Sequence, residues 1–311
     1  MQRTPVSAPT HRFTRRRWLG GLCALACMPT WVSAAIKEVR VLVSVDNASV
    51  RALLQAIRQR HASAPAETDI AQLDLRRPGV LVAVGPAALR KAMQADQRQP
   101  IVSVMVSSQA YRRQMQSVTH EGPSSTAIYA EAAPAAQMQL IAALFERRVS
   151  VGVLLSDASA YMERPLRQAA QAAGLDLQLI VTEFGQDPVR ALSALPSVQA
   201  LLIVPDGTLY TPDALRAVLE STYRRGLPTI GFSPATVNAG TLACAHAEPE
   251  DVAAELLDLI DGLPPGGLPL PEARHPRYWR VAVNENVARS LGIAISDRVR
   301  TLGVRPPGRT P

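Results

Sequence analysis

The sequence is poor in aromatic residues, histidine and cysteine, and these shortages exclude several kinds of site. Phenylalanine, tryptophan and tyrosine together make up 4% of the 311 residues. The five histidines never lie three or four residues apart, and the three cysteines form no Cys-x-x-Cys pair. The usual zinc and thiol-redox motifs are therefore missing. We expect neither a metal site nor a resident cofactor.

Motifs of the common enzyme classes are missing as well. The sequence contains no Gly-x-Ser-x-Gly elbow and no phosphate-binding loop with its lysine. Gly79 and Gly85 flank a predicted strand and do not form the turn of a dinucleotide site. We expect no catalytic residues. An active site assembled from scattered residues keeps an exported α/β enzyme open as a minor alternative.

The first 34 residues have the pattern of a secretory signal peptide. A basic stretch that includes Arg15, Arg16 and Arg17 precedes an apolar run at 18–28, and no acidic residue comes before Glu38. The run is shorter than the roughly 20 residues that a membrane-spanning helix needs. Val-Ser-Ala at 32–34 supplies the small residues of a cleavage site. We predict cleavage after Ala34 and a periplasmic protein.

The route of export stays open. Thr-Arg-Arg-Arg-Trp-Leu at 14–19 is similar to a twin-arginine signal, and equally to an ordinary leader with a rich basic region. A lipid anchor on Cys27 is disfavoured, because Leu25 lies one place from where a lipobox has its leucine.

Removal of the leader changes both the charge and the cysteine count. Its five arginines account for five of the seven formal positive charges, which leaves +2 on the mature chain. So small a charge gives no basic surface for nucleic acid, and we expect no nucleic-acid partner. Cys244 becomes the only cysteine, and its apolar neighbours are typical of a small core residue.

Strand and helix patterns alternate along the mature chain. Apolar, β-branched segments predict buried strands at 39–45, 79–84, 101–106, 149–155, 177–181, 200–204 and 228–232. Capping residues and helical spacing predict a helix after each of the strands at 39–45, 79–84, 149–155, 177–181 and 200–204, and a further helix at 249–261. This alternation is typical of βαβ units with parallel sheets. Its two runs indicate two similar lobes, with a crossing near 119–125.

Small polar residues and glycines follow the carboxyl ends of the predicted strands. They are Asp46, Gly85, Ser107, Ser108, Ser156, Asp157, Asp206, Thr208 and Ser233. Ligands of open parallel sheets bind at this edge, where helix N-termini present free N–H groups. Each residue taken alone is a helix cap or a turn former. The set together predicts a ligand-binding cleft between the lobes.

Four segments of the second half carry a family resemblance. They are Val151–Ser156, Ala200–Asp206, Leu227–Ala243 and Trp279–Ile293. In this order they resemble the ABC-transporter substrate-binding family whose characterised members bind aromatic amino acids. The resemblance covers residues 149–300.

The first half resembles that family more loosely. Val80–Ala88 is similar to its strand–Gly-Thr-Pro-Ala-Ala element without the threonine. Ser-Ser-Gln at 107–109 stands in place of a Thr-Asp-Pro-like turn, and 111–127 replaces a glycine-rich stretch.

The resemblance implies an α/β, two-lobed, type I periplasmic-binding-protein-like fold, each lobe a parallel sheet flanked by helices. Lobe 1 would comprise 35–126 and 248–285, lobe 2 would comprise 127–247 and 286–304, and 305–311 would be a disordered tail. All nine of these residues at the strand ends would bind ligand, those from Ser156 onward in lobe 2. The Asp206 carboxylate would accept from an ammonium or hydroxyl group.

The resemblance also implies a function. The protein would capture a small molecule, such as an amino acid or a related solute, between its lobes and present it to an ABC permease as a monomer. An alternative is a periplasmic sensor or accessory protein of the same fold, coupled to a receptor or signalling partner.

Overall fold

A computed structural model describes residues 38–118, 122–183, 185–264 and 266–307. The described residues all belong to one compact unit of the chain. The predicted signal peptide, its export motif and Cys27 lie outside the described residues.

In the described residues, the first sheet has five parallel strands in the order β2-β1-β3-β4-β5. The strands are β1 Glu38–Val43, β2 Ala66–Glu67, β3 Gly79–Val84, β4 Ile101–Val106 and β5 Ser125–Tyr129. Its helices are α1 Ala48–Arg60, α2 Pro86–Gln94, α3 Ser108–Gln116 and, from later in the chain, α9 Pro249–Gly262. A short 3₁₀ turn covers Ile70–Gln72. We call this sheet with its helices the first lobe.

The second sheet has six described strands in the order β11-β10-β9-β8-β6-β7, all parallel except the pair β10–β11. They are β6 Ser150–Leu155, β7 Asp176–Val181, β8 Ala200–Leu202, β9 Thr229–Gly231, β10 Ala243–His246 and β11 Arg280–Val283. A 3₁₀ turn covers Ala160–Met162. The helices are α4 Pro134–Phe145, α5 Glu163–Ala172, α6 Pro188–Ala194, α7 Pro212–Arg224, α8 Pro234–Ala239, α10 Glu285–Ser290 and α11 Asp297–Thr301. This is the second lobe.

The strand sequences explain why both sheets lie inside their lobes. Side chains alternate between the faces of a strand. In β1, Val41 therefore packs in one apolar cluster with α1 and α9, while Leu42 packs in another with α2. A sheet covered on both faces needs nearly continuous apolar strands, and β3 and β6 have them.

Proline marks the first turn of many helices. Among the described helices it begins α2, α4, α6, α7, α8 and α9. The first turn leaves N–H groups without partners inside the helix, so the missing N–H of proline costs nothing there. Each chain segment can thus turn sharply from a strand or loop into a helix.

No described helix is both long enough and apolar enough to span a bilayer.

Within the described residues the chain passes between the lobes three times: after β5, after β10 and before β11. The segment before β11 lies beside the end of β5, since Arg274 N donates to Ala127 O and Tyr129 N donates to Arg274 O, each at 2.9 Å. Glu131 pairs with His246 in an isolated bridge. The predicted return of the 249–261 helix is observed, because α9 packs against α1.

The residues at which the chain passes from one sheet to the other differ from the predicted lobe boundaries. β5 continues to Tyr129 in the first sheet, three residues beyond 126. β11 belongs to the second sheet, although 248–285 was predicted for lobe 1. The difference arises because antiparallel pairing with β10 determines which sheet β11 joins. Such a pairing between distant segments cannot be predicted from a local sequence pattern.

The predicted disordered tail is wrong for residues 305–307. Arg305 donates to the carbonyl oxygen of Trp279 at 3.1 Å, and Pro306 is buried. These contacts hold the segment against the second lobe. Residues 308–311 lie outside the described residues.

Candidate ligand site between the lobes

The start of α3 brings polar side chains of the first lobe to the second. Ser107 ends the turn after β4 and caps α3 by accepting from the amide of Ala110 at 3.2 Å. Ser108 is next and is buried. Its hydroxyl lies 2.7 Å from the hydroxyl of Tyr161, which sits in the 3₁₀ turn of the second lobe. Ser108 is thus a direct link between the lobes.

Ser108 also contacts Glu131, the buried carboxylate in the first crossing. The amide of Ser108 donates to Glu131 Oε1 at 2.9 Å and is 3.2 Å from Oε2, and its hydroxyl donates to Oε1. Because that hydroxyl proton points to Glu131, the 2.7 Å contact is made by Tyr161 donating to Ser108. The three groups form a chain from the second lobe to the crossing.

Gln109 makes the second link between the lobes. Its amide nitrogen donates to Asp206 Oδ1 at 3.0 Å, and its amide oxygen accepts from the backbone N–H of Gly207 at 3.1 Å. Both partners lie in the loop after β8. The side chain therefore uses its donor and its acceptor on one loop of the opposite lobe.

Asp206 is the most heavily hydrogen-bonded carboxylate of the site. Among the described residues its two oxygens accept from seven donors: Gln109 Nε2, the amides of Ser156, Thr208 and Leu209, and the hydroxyls of Ser156, Ser159 and Thr208. Burial alone would raise the pKa of Asp206. The side-chain donors outweigh burial and hold the pKa well below its usual range. Asp206 is a fixed anion that organises two loops.

Aromatic rings surround this junction. The guanidinium carbon of Arg112 lies 4.4 Å from the ring centroid of Tyr161. Tyr129 has its ring 6.0 Å from that of Tyr111 and 5.1 Å, edge to face, from that of His275. Burial raises the pKa of Tyr161 to about 12, and the nearby charge of Glu131 adds to the rise. Tyr129 and Tyr161 are therefore neutral, and both lie near the Glu131 carboxylate.

No protein-family profile and no curated protein matches the chain. Solved structures do match it. The ligand-free, open form of a substrate-binding protein with adhesive properties from Clostridium difficile is 14% identical, covers 85% of this chain and 98% of that one, and has a TM-score of 0.61. The ABC domain of Streptococcus pneumoniae in complex with L-Trp is 18% identical, with 85% and 97% covered and a TM-score of 0.54. A conserved domain protein from Vibrio cholerae is 16% identical, with the same coverage and TM-score.

The protein has a two-lobed periplasmic-binding-protein-like fold. The fold predicted from the sequence is thereby confirmed. The likeness is one of fold, because the identities are between 14% and 18%.

The binding-protein fold brings four of the nine predicted site residues together. Ser108 reaches the second lobe, and Ser156, Asp206 and Thr208 form one hydrogen-bonded group there. In this arrangement the Asp206 oxygens are occupied by protein donors. The predicted role of Asp206 as the acceptor for a ligand's ammonium group would require some of these bonds to break.

The other five predicted residues stand apart from that group. Asp46 is exposed and pairs with Arg51 at 2.8 Å, and Asp157 is exposed. Gly85, Ser107 and Ser233 occupy the N-cap positions of α2, α3 and α8. Gly85 has φ of +90°, and a Cβ there would lie 2.7 Å from the hydroxyl of Ser44.

Ser156 does not cap a helix, although its position after a predicted strand suggests a cap. Ser156 and Ser159 both turn their hydroxyls to Asp206, and α5 begins at Glu163 after the 3₁₀ turn. A buried carboxylate competes for the hydroxyls that would otherwise cap a helix.

The predicted core position of Cys244 is confirmed: it is buried in β10, and burial raises the pKa of its thiol to about 12.

Sequence reasoning missed Glu131 and Tyr161. Glu131 comes two residues after β5, a strand that the sequence patterns do not predict, and Tyr161 lies in a 3₁₀ turn. A search for polar residues at predicted strand ends therefore finds neither side chain. Within the described residues, no three His, Cys, Asp or Glu side chains group closely enough to hold a metal ion.

Proposed function

We propose that the protein captures a small solute between its lobes and presents it to an ABC transporter. One observation carries the proposal: polar side chains from the segments that follow strands β4, β6 and β8 meet across the lobes. Ser108 and Gln109 on one side face Tyr161 and Asp206 on the other. In two-lobed α/β proteins this edge is where ligands are held.

The solute class that we propose is an amino acid or a related compound. The Streptococcus pneumoniae domain of the same fold was solved with L-Trp. In this chain the tyrosines and His275 offer flat apolar surface for a side chain, and Arg112 and Glu131 offer charges of both signs. A zwitterion with an apolar side chain would suit that combination.

We further propose that the protein is not an enzyme. The Asp206 carboxylate, with its lowered pKa and seven donors, is a poor proton acceptor, since each bond stabilises the anion. The raised pKa of Cys244 disfavours the thiolate that a nucleophile requires.

The proposal also includes export by the predicted leader, a permease as the membrane partner, and a monomer.

A second candidate function is that of a sensor or accessory protein of the same fold. The direct bonds of Gln109 to Asp206 and Gly207 favour it, because they join the lobes through protein groups alone. A binding protein must gain free energy from ligand in its closed form. A protein that closes by itself can present the closed surface to a partner constitutively.

Thermal unfolding of the purified protein against amino acids, short peptides and sugars tests the two. A ligand that binds only the folded state stabilises it by about 2.7 kcal/mol at a hundredfold excess over Kd. A specific rise in the midpoint supports solute capture. Absence of any rise in folded, ligand-free protein rejects solute capture within this library and favours the sensor.

A matched pair of variants tests whether the ligand binds between the lobes. Tyr161→Phe removes a hydroxyl at the junction, where it contacts Ser108. Tyr223→Phe removes an exposed hydroxyl that contacts Ser290. Capture between the lobes predicts weaker binding in the first variant and unchanged binding in the second. Equal affinities in both variants would contradict the proposed place.

A further inference from the structure

Four carboxylate side chains are buried among the described residues. Glu131 is 4% exposed, Asp206 2%, Asp251 1% and Glu255 0%. A carboxylate loses its hydration on burial, and the loss is costly unless a cation or a full set of donors replaces the water. The donors and cations around each carboxylate therefore show whether the protein alone replaces the lost hydration.

Three of the four are well compensated. Asp206 has its seven donors. Asp251 receives both arms of the Arg280 guanidinium, at 2.7 and 2.8 Å. Glu255 receives Arg274 Nε at 3.0 Å and the backbone N–H of Arg277 at 2.7 Å.

Glu131 is different. In the part of the chain that the structure describes, its carboxylate accepts hydrogen bonds only from Ser108 and forms no ion pair. Oε1 receives the hydroxyl and the shorter amide contact, whereas Oε2 has only its 3.2 Å share of that amide. A carboxylate offers about four lone-pair positions, so acceptor capacity remains on Oε2. The N-terminus of α3 compensates part of the charge, since a helix end carries about half a positive charge.

The surroundings of Glu131 suit a cation. Its charge contributes to the raised pKa values of both Tyr129 and Tyr161, which places the carboxylate near the two rings. The faces of aromatic rings attract cations, and Arg112 already lies over one face of Tyr161. His275 contacts the backbone oxygen of Glu131 through Nδ1 at 3.2 Å and closes the side toward Tyr129.

We propose that Glu131 receives a protonated nitrogen of the ligand. The inference rests on the proposed solute capture and narrows its ligand to compounds that carry an ammonium group. Neutral sugars and carboxylic acids without an amine would leave Glu131 uncompensated and are expected to bind poorly. The ammonium group would take the remaining acceptor positions and lie against the tyrosine rings.

Matched compounds test the inference on the unaltered protein. One set is L-tryptophan, tryptamine and indole-3-propionate; another is L-leucine, 3-methylbutylamine and 4-methylpentanoate; choline, putrescine, glucose and short peptides complete the panel. Thermal shift identifies binders, and calorimetry gives Kd. We expect the amine-bearing members of a set to bind and the carboxylate-only member to bind at least about tenfold more weakly, the loss of one charge-assisted bond.

Variants then test the residue itself. Glu131→Gln keeps the shape and removes the charge, and should weaken the amine-bearing binder at least about tenfold. Glu131→Asp keeps the charge and should retain more of the affinity. Glu220→Gln, on the exposed face of α7, is the control and should bind normally. Circular dichroism and unfolding midpoints establish that each variant is folded.

The outcomes separate this inference from the function on which it rests. Binding that is confined to compounds without an amine, or undiminished in folded Glu131→Gln, overturns the role of Glu131 and leaves solute capture standing. If Glu131→Gln does not fold, the matched compounds on the unaltered protein decide. No binding by any member of the panel counts against solute capture and this inference together.

Discussion

Gln109 in the first lobe and Asp206 in the second are joined directly, with the amide nitrogen of Gln109 3.0 Å from Asp206 Oδ1. The same side chain accepts from the backbone N–H of Gly207. A glutamine is suited to this position because one planar group both donates and accepts. We expect this pair to set how readily the lobes separate.

Gln109→Glu should separate the lobes. The variant places a second carboxylate against Asp206 and removes the donor, so repulsion replaces a hydrogen bond. We expect a longer distance between spin labels on the two lobes and a larger radius of gyration in solution scattering. Gln116→Glu adds the same charge at an exposed position of α3 and is the control. An unchanged label distance in Gln109→Glu would refute this role of the pair.

Asp206 should make stability depend on acidity. Its pKa in the folded protein is lowered, so its contribution is complete above the ordinary carboxyl pKa of about 4 and is lost as the pH falls further. Asp206→Asn should lower the free energy of unfolding at pH 7 by at least about 2 kcal/mol, because an amide cannot accept from all the donors. Below pH ~4 the difference from the unaltered protein should shrink. Denaturant titrations from pH 7 to 3 measure it; a constant difference would rule the mechanism out.

Gly85→Ala should destabilise the first lobe for two reasons. A φ of +90° strains any residue with a Cβ, and the new methyl group would lie 2.7 Å from Ser44 Oγ. We expect a loss on the order of 1–3 kcal/mol in chemical unfolding. Gly226→Ala is the control, since Gly226 also has a positive φ but nothing within 4 Å of its added Cβ. A loss in Gly85→Ala no larger than in the control would show that the Ser44 contact is unimportant.

Arg274 should stabilise the crossings through Glu255. Glu255 is fully buried, and Arg274 Nε lies 3.0 Å from its Oε1. Arg274→Met should cost roughly 2–4 kcal/mol in unfolding free energy, because a buried carboxylate loses a partner. The double variant with Glu255→Gln should recover part of that loss, since the charge is then absent. Greater loss in the double variant than in Arg274→Met would argue against a charge effect.

Local patterns in the sequence were sufficient for most of the fold. Strands β3 and β4 were predicted at their observed bounds, because apolar β-branched runs between turn residues have few other interpretations. Helix α4 was not predicted. It is buried on most sides and so lacks the apolar stripe by which a surface helix is recognised. β10 and β11 were missed because each is short and is fixed by its partner strand.

The candidate site was only partly predictable. Ser108 and Asp206 follow strands, and their position alone suggested contact with a cleft. Glu131 and Tyr161 become neighbours of Ser108 through the tertiary fold, across 23 and 53 residues of chain. Whether Asp206 faces solvent or seven donors depends on the conformation of two loops. The spacing of residues in the sequence does not predict that conformation.

The packing of α9 against α1 has a consequence for synthesis. Leu53 and Ile57 of the first lobe share a core with Leu256 and Ile260, which the ribosome adds some two hundred residues later. A core that joins distant parts of the chain forms slowly, since a long loop must close first. The second lobe's segment at 134–246 is made in between, and its central strands and helices can associate before that core is filled. Both lobes therefore depend on segments that are made late: α9 completes the first lobe, and β11, α10 and α11 complete the second.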